Sequence, residues 1–133
     1  MEELIVEAKP ENMDAVLDFI NGRIGECSPK IQNQIGIAID EIFSNIYRYA
    51  YQPVIGNVTV RIAVAEDITI EFEDNGMAYD PISAAPPDIT LPAKEREIGG
   101  LGIFMVKNMM DLVKYRREGN RNILMIKKRI ADI

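Results

Sequence analysis

Three short stretches of this sequence carry residue types that could do chemistry. In the first, Glu41 and Asn45 stand four apart in Ala38-Ile39-Asp40-Glu41-Ile42-Phe43-Ser44-Asn45. That interval puts both side chains on one face of a helix. A carboxylate beside an amide oxygen suits Mg²⁺, which takes hard oxygen ligands and keeps several waters. The plainer alternative is a solvated Glu41 and an Asn45 bonded locally. The second stretch is Asp74-Asn75-Gly76 at the end of an alternating apolar run. An acid there can accept a hydrogen bond from an exocyclic amine such as that of adenine, and Gly76 allows close backbone approach. The same tripeptide is also good chemistry for an ordinary turn. The third is Gly99-Gly100-Leu101-Gly102 opening a helix. Glycines let backbone fold around phosphates, and the helix start supplies free N–H groups. No Gly-Lys-Ser/Thr follows, so this is not a Walker A loop. It follows a long loop instead of a first strand, so it is not a dinucleotide fingerprint either.

Composition removes several other chemistries. The chain has no histidine and a single cysteine, Cys27. Ser-His-Asp and Cys-His nucleophiles are therefore excluded, and a zinc site is improbable. The net charge of -6, with no basic stripe on any helix, argues against nucleic acid as the direct ligand. The run Lys127-Lys128-Arg129 reads as the solvated end of an edge strand, or a gatekeeper against aggregation. Nothing resembles a signal peptide or reaches the length needed to span a bilayer, so a cytoplasmic protein without a membrane role is expected.

The elements that must position these residues follow from periodicity. At 133 residues, one domain covering 1–133 is expected. Glu3 to Lys9 reads as a strand ending at Pro10. Met13, Val16, Leu17 and Ile20 recur at helical spacing from an Asn12 cap towards Gly25. Ser28 and Pro29 start a second helix, in which Ile31, Ile35, Ala38, Ile39, Ile42, Ile46 and Tyr49 form a stripe to about Tyr51. Its many β-branched residues require tertiary burial to hold it. Val58 to Val64 and Ile68 to Phe72 alternate as two strands. Residues 75 to 98 hold Pro81, Pro86, Pro87 and Pro92 and keep no hydrophobic period. This is the signature of a functional loop, and a lid over about 77–98 is expected. A helix from Ile103 to about Met110 or Asp111 and a hairpin, Val113–Arg117 then Ile123–Ile130 around Gly119, complete the chain. The order implies an α+β, two-layer α/β sandwich, with a mixed, mostly antiparallel sheet and helices on one face.

Taken together, Glu-x-x-x-Asn on a helix, Asp-x-Gly after a strand and Gly-x-Gly after a long loop resemble the Bergerat ATP-binding fold. Within it the chain resembles the anti-sigma-factor serine/threonine kinases. Ala38 to Tyr51 looks like their N box, Asp74 to Pro81 like their first glycine box, and Gly99 to Val106 with Met110-Asp111 like their second. Asn122 to Lys128 resembles their last strand. The resemblance implies ATP and Mg²⁺ as ligands, Glu41 as general base for a serine hydroxyl, and Asn45 as the Mg²⁺ ligand. It makes Asp74 the adenine reader and sets Gly76, Gly100, Leu101 and Gly102 around base and phosphates. It further implies phosphorylation of an anti-anti-sigma partner of the STAS type, sequestration of a sigma factor, and homodimerisation. The alternative is an ATP-sensing binding module that phosphorylates nothing; retention of Glu41 favours the enzyme. The chain departs from the pattern at Tyr49, where many relatives have histidine, and at Ala78, in place of a second glycine. Ile98 stands where a basic residue often precedes the second glycine loop, leaving Lys94 or Arg96 to reach phosphate or to be solvated.

Overall fold

The structure, a computed structural model, describes residues 1–50, 55–78 and 100–130, with the backbone alone considered at 100–102. Five strands form one sheet in the order β1-β2-β3-β5-β4. They are β1 (Glu2–Glu7), β2 (Asn57–Val64), β3 (Asp67–Asp74), β4 (Leu112–Glu118) and β5 (Arg121–Arg129). Among the described residues every pairing is antiparallel, in keeping with the mostly antiparallel sheet expected and without its parallel component. Among the described residues three α-helices accompany it: α1 (Met13–Asn21), α2 (Pro29–Asn45) and α3 (Gly100–Met109). The α+β class read from the sequence is the observed one.

Strict alternation builds the sheet's buried face. Val58, Val60 and Ile62 on β2 and Ile68, Ile70 and Phe72 on β3 are all buried. The register sets Val60 opposite Phe72 and Phe72 opposite Leu124, so one row crosses three strands. Onto this face α2 packs Ile35, Ala38, Ile39, Ile42 and Phe43, each almost fully buried. Each large apolar side chain so buried contributes about 1.5–3 kcal/mol. That burial outweighs the weak helix propensity of a segment so rich in isoleucine. Ser28 caps α2 as expected, its Oγ accepting from Ile31 N at 3.3 Å, with Pro29 in the first turn.

Four local expectations need correction. Asn12 does not cap α1 with its side chain; its Nδ2 donates instead to Glu7 O at 2.8 Å, tying a short 3₁₀ turn (Pro10–Asn12) to the end of β1. α1 stops at Asn21, with Gly22 as its C-cap, well short of Gly25. α2 does not run unbroken to Tyr51: after Asn45 the chain widens into a π-helical turn, Ile46–Ala50. The basic run Lys127-Lys128-Arg129 lies on β5, an interior strand between β3 and β4, and so does not end an edge strand. Lys128 faces the helices, and its Nζ donates to Met109 O at 2.8 Å. It thus satisfies a carbonyl left open at the C-terminus of α3.

Candidate functional site

One pocket opens between the end of α2, the start of α3 and the inner faces of β3, β4 and β5. Its wall includes Ile42, Asn45, Ile46, Ala50, Phe72, Asp74, Ile103, Tyr115, Asn122 and Leu124. The lining is mostly apolar, with a few convergent polar groups, as in sites for flat organic ligands.

Asp74 is the last residue of β3 and only 5% exposed. Alternation turns it to the helix side, where Phe72, Ile70 and Ile68 precede it. Its Oδ1 accepts from Gly76 N and from Asn122 Nδ2, each at 2.9 Å. Burial raises its pKa above the ordinary aspartate value, while the bonds from Asn122 and Gly76 and the charge of Arg117 pull the other way. Both described bonds fall on Oδ1, which leaves Oδ2 as the acceptor available to a ligand.

Gly76 is buried against the π-helical turn. A Cβ placed on it would collide with the carbonyl of Ala50 and lie 2.6 Å from the Ala50 Cβ. Met77 N donates to Ala50 O at 2.9 Å, so the loop after β3 is laced to the turn that ends α2. π-helical turns are uncommon and concentrate at functional sites. Here the turn brings Ala50 under the loop that presents Asp74.

Asn45 is 6% exposed, lines the pocket, and has an Nδ2 with no hydrogen-bond partner among the described residues. A buried amide nitrogen without a partner costs free energy, on the order of 1–3 kcal/mol. Glu41, one turn earlier, is half-buried and outside the described pocket wall. Its pKa is raised by burial first and by Asp40, with Arg48 opposing. Gly100, Leu101 and Gly102 form the first turn of α3, so the helix begins at Gly100 and not at Ile103. Glycine needs no room for a side chain there, and Ile103, the next residue, lines the pocket. The expected lid is described only at its first two residues, Met77 and Ala78; from 79 to 98, Lys94, Arg96 and Ile98 included, it lies outside the described residues.

Of the expected site residues, the structure brings Asn45 and Asp74 to one pocket wall, with Gly76 packed against Ala50 beside it, the first turn of α3 leading into Ile103 on that wall, and Glu41 one turn earlier on α2. Sequence reasoning missed Asn122, Tyr115 and Arg117. All three face inward: Asp74 pairs with Asn122, Tyr115 with Leu124 and Arg117 with Asn122. The signal was present as polar residues at core-facing positions of the last hairpin, with Arg117 and Tyr115 alternating with Val113.

The residues fit a magnesium ion carried in on phosphates better than a metal caged by protein. Among the described residues no group of three or more acidic, histidine or cysteine side chains converges. The orphaned Nδ2 of Asn45 is a donor and suits a phosphate oxygen, while the oxygen of the same amide would offer one ligand to an ion that takes one or two from protein.

A two-layer domain with one antiparallel sheet, helices on one face and a pocket between the sheet and two helix ends defines an ATPase-like fold of the Bergerat kind. The sequence matches the histidine kinase-like ATPase domain over residues 6–128, and the chain belongs to that family. It is 28% identical over 133 residues to a serine-protein kinase RsbW of Bacillus cereus strain G9842, covering 94% of this chain and 82% of the relative. A serine-protein kinase RsbW of Bacillus mycoides strain KBAB4 is 29% identical over 96 residues, 68% of this chain and 60% of that one. Among solved structures, that of the RsbU and RsbW domains of Rv1364c from Mycobacterium tuberculosis aligns with 98% of this chain at TM-score 0.64 and 12% identity. The alignment spans 33% of that longer chain. The histidine kinase AdeS of Acinetobacter baumannii aligns at TM-score 0.53 and 15% identity, over 99% of this chain and 69% of its own. These two likenesses speak to the fold alone.

Proposed function

We propose that this chain is an ATP-dependent serine kinase of the anti-sigma type, acting as a single domain over 1–133 with a lid at about 77–98. Its substrate is a serine on a small anti-anti-sigma partner of the STAS type, and it holds a sigma factor when that partner is absent. The observation that carries the reading is the meeting, in one mostly apolar pocket, of a buried carboxylate with one oxygen committed and a buried amide with one nitrogen uncommitted. An adenine ring suits the first and magnesium-bound phosphates suit the second. The names of the curated relatives support the kinase class.

In this reading Asp74 accepts the adenine amine, and Gly76 lets the base approach the backbone. The first turn of α3, Gly100, Leu101 and Gly102, directs its free N–H groups at phosphate. Asn45 would hold a magnesium ion, which would supply charge neutralisation for the transferred phosphoryl group. Glu41 takes the proton of the serine hydroxyl as its oxygen bonds to the terminal phosphorus and the bond to the bridging oxygen of ADP breaks. Its raised pKa makes it a better proton acceptor than an ordinary glutamate. Sequestration of a sigma factor, dimerisation and a cytoplasmic location belong to the same reading. No described helix is long and apolar enough to cross a membrane.

Magnesium-ATP should raise the melting temperature of the wild-type protein, and Asn45→Ala should abolish the rise. The absence of any wild-type shift at millimolar nucleotide would sink the ATP reading. Glu41→Gln should keep the shift but reduce phosphotransfer to a cognate partner by roughly two to four orders of magnitude. Transfer at the wild-type rate would remove Glu41 as base. A wild-type protein that binds nucleotide but never transfers would favour the sensing-module alternative.

A further inference from the structure

The last hairpin does more than close the sheet. Asn122 uses every hydrogen-bonding position of its amide inside the protein. Its Nδ2 donates to Asp74 Oδ1 and to Met77 O, each at 2.9 Å. Its Oδ1 accepts from Tyr115 Oη at 2.5 Å and from Arg117 Nη1 at 3.0 Å. An amide offers two donor hydrogens and two acceptor lone pairs, and all four are taken. The amide cannot flip, since the turned group would set its oxygen against a carboxylate and its hydrogens against a guanidinium. Arg117 Nη1 also donates to Gly76 O at 2.9 Å, so one cation holds both the amide and the loop. Asn122 is 5% exposed yet lines the pocket. It is placed to touch a ligand but has no polar atom free to read one.

We infer that Tyr115, Arg117 and Asn122 form a clamp that sets the base specificity of the pocket by fixing the rotation of the Asp74 carboxylate. They are positioning residues acting through Asp74, and the inference rests on the nucleotide reading above. With Oδ1 pinned by Gly76 N and Asn122 Nδ2, the carboxylate plane is fixed, and Oδ2 meets the base as an acceptor that cannot swing away. A purine with an amine at its six position bonds to that oxygen; one with a carbonyl there meets it lone pair to lone pair. A freely rotating carboxylate would relieve that repulsion, and a protonated one would turn it into a hydrogen bond. Rigid polar sites reject ligands that leave them unpaired far more strongly than apolar pockets reject added bulk.

The test compares ATP with inosine triphosphate, which replaces the amine by a carbonyl, each as its magnesium complex, by thermal shift and by titration calorimetry. Wild-type protein should prefer ATP by roughly a hundredfold or more. Asn122→Asp, nearly identical in shape, replaces the donor facing Asp74 with a second carboxylate. The pair then shares a proton, and the ATP preference should fall at least about tenfold and become pH-dependent. Tyr115→Phe removes one hydroxyl donor from the Asn122 amide and should lower the preference by about threefold, with a small fall in melting temperature in the absence of nucleotide. It carries the test if Asn122→Asp does not fold. A merely structural role would lower stability and leave the ratio of the two affinities where it was. That result, an unchanged ratio in a folded variant, overturns the clamp while leaving the nucleotide site standing. A wild-type protein that binds neither nucleotide overturns the underlying reading itself.

Discussion

At the scale of single residues, Asp74 shows how a site can be installed against stability. Alternation along β3 delivers it to the core face, where an apolar side chain would bury more favourably. Its carboxylate is held there by Gly76 N and Asn122 Nδ2 with its pKa raised mainly by burial. A raised carboxylate pKa means the folded state binds its proton more tightly than the unfolded chain does. The stability this contributes is complete below the ordinary aspartate pKa and is lost as pH rises through the folded value. Asp74→Asn keeps an oxygen for both donors and does not titrate. In nucleotide-free melts from about pH 4 to about pH 8, the variant should therefore gain on wild type as pH rises. It should also lose stabilisation by ATP, because an amide nitrogen now faces the base amine. A variant that falls behind wild type with rising pH would mean the charged form is favoured in the fold. Asp74 was legible in the sequence because acid and glycine sit together after a strand. Its supporters were not, since Asn122 lies 48 residues away and meets it only through the β3–β5 register.

At the scale of elements, the contact between the loop after β3 and the end of α2 decides the pocket's shape. The sequence gives a stripe of apolar residues through Ile46 and Tyr49, which an uninterrupted helix would satisfy. The π-helical turn departs from that periodicity without a glycine or proline to announce it, so it was invisible beforehand. Its consequence is the approach of Ala50 to Gly76, closer than any side chain permits. Gly76→Ala should lower stability by about 1–3 kcal/mol, as overpacking does, with a melting-temperature fall of roughly 4 °C per kcal/mol. It should weaken ATP binding in the same variant, because the displaced loop carries Met77 and turns Asp74. Adding Ala50→Gly should not rescue it, because the nearest obstacle is the Ala50 carbonyl and not its side chain. Full rescue by the double change would mean the loop and turn are less tightly joined than the geometry requires. The interior position of β5 was misjudged for a related reason. A run of three basic residues resembles edge protection, but one of them, Lys128, is occupied in closing the C-terminus of α3.

At the scale of the whole molecule, charge sets a condition on how the nucleotide is received. The chain carries a net charge of -6, and among the described residues lining the pocket there is no lysine or arginine. Other cations are engaged elsewhere. Arg61, Arg116 and Arg121 pair with Glu3, Glu71, Glu73 and Glu118 on the sheet face away from the helices, and Arg117 is spent on Gly76 O and Asn122. A triphosphate approaching without metal therefore meets a field of its own sign. On the proposed reading its neutralisation comes from magnesium, with helix N–H groups in support. Affinity for metal-free ATP should be at least about tenfold below that for the magnesium complex. What remains should improve as salt rises from about 20 mM to about 200 mM, because screening weakens the repulsion. Most proteins that hold phosphates with basic side chains behave in the opposite way. Metal-free affinity that drops steeply over the same range would assign the phosphates to cations such as Lys94 or Arg96, and would take Asn45 and its metal out of the leading role. Calorimetric titrations of ATP with excess chelator, at three or four salt concentrations, distinguish the two signs directly.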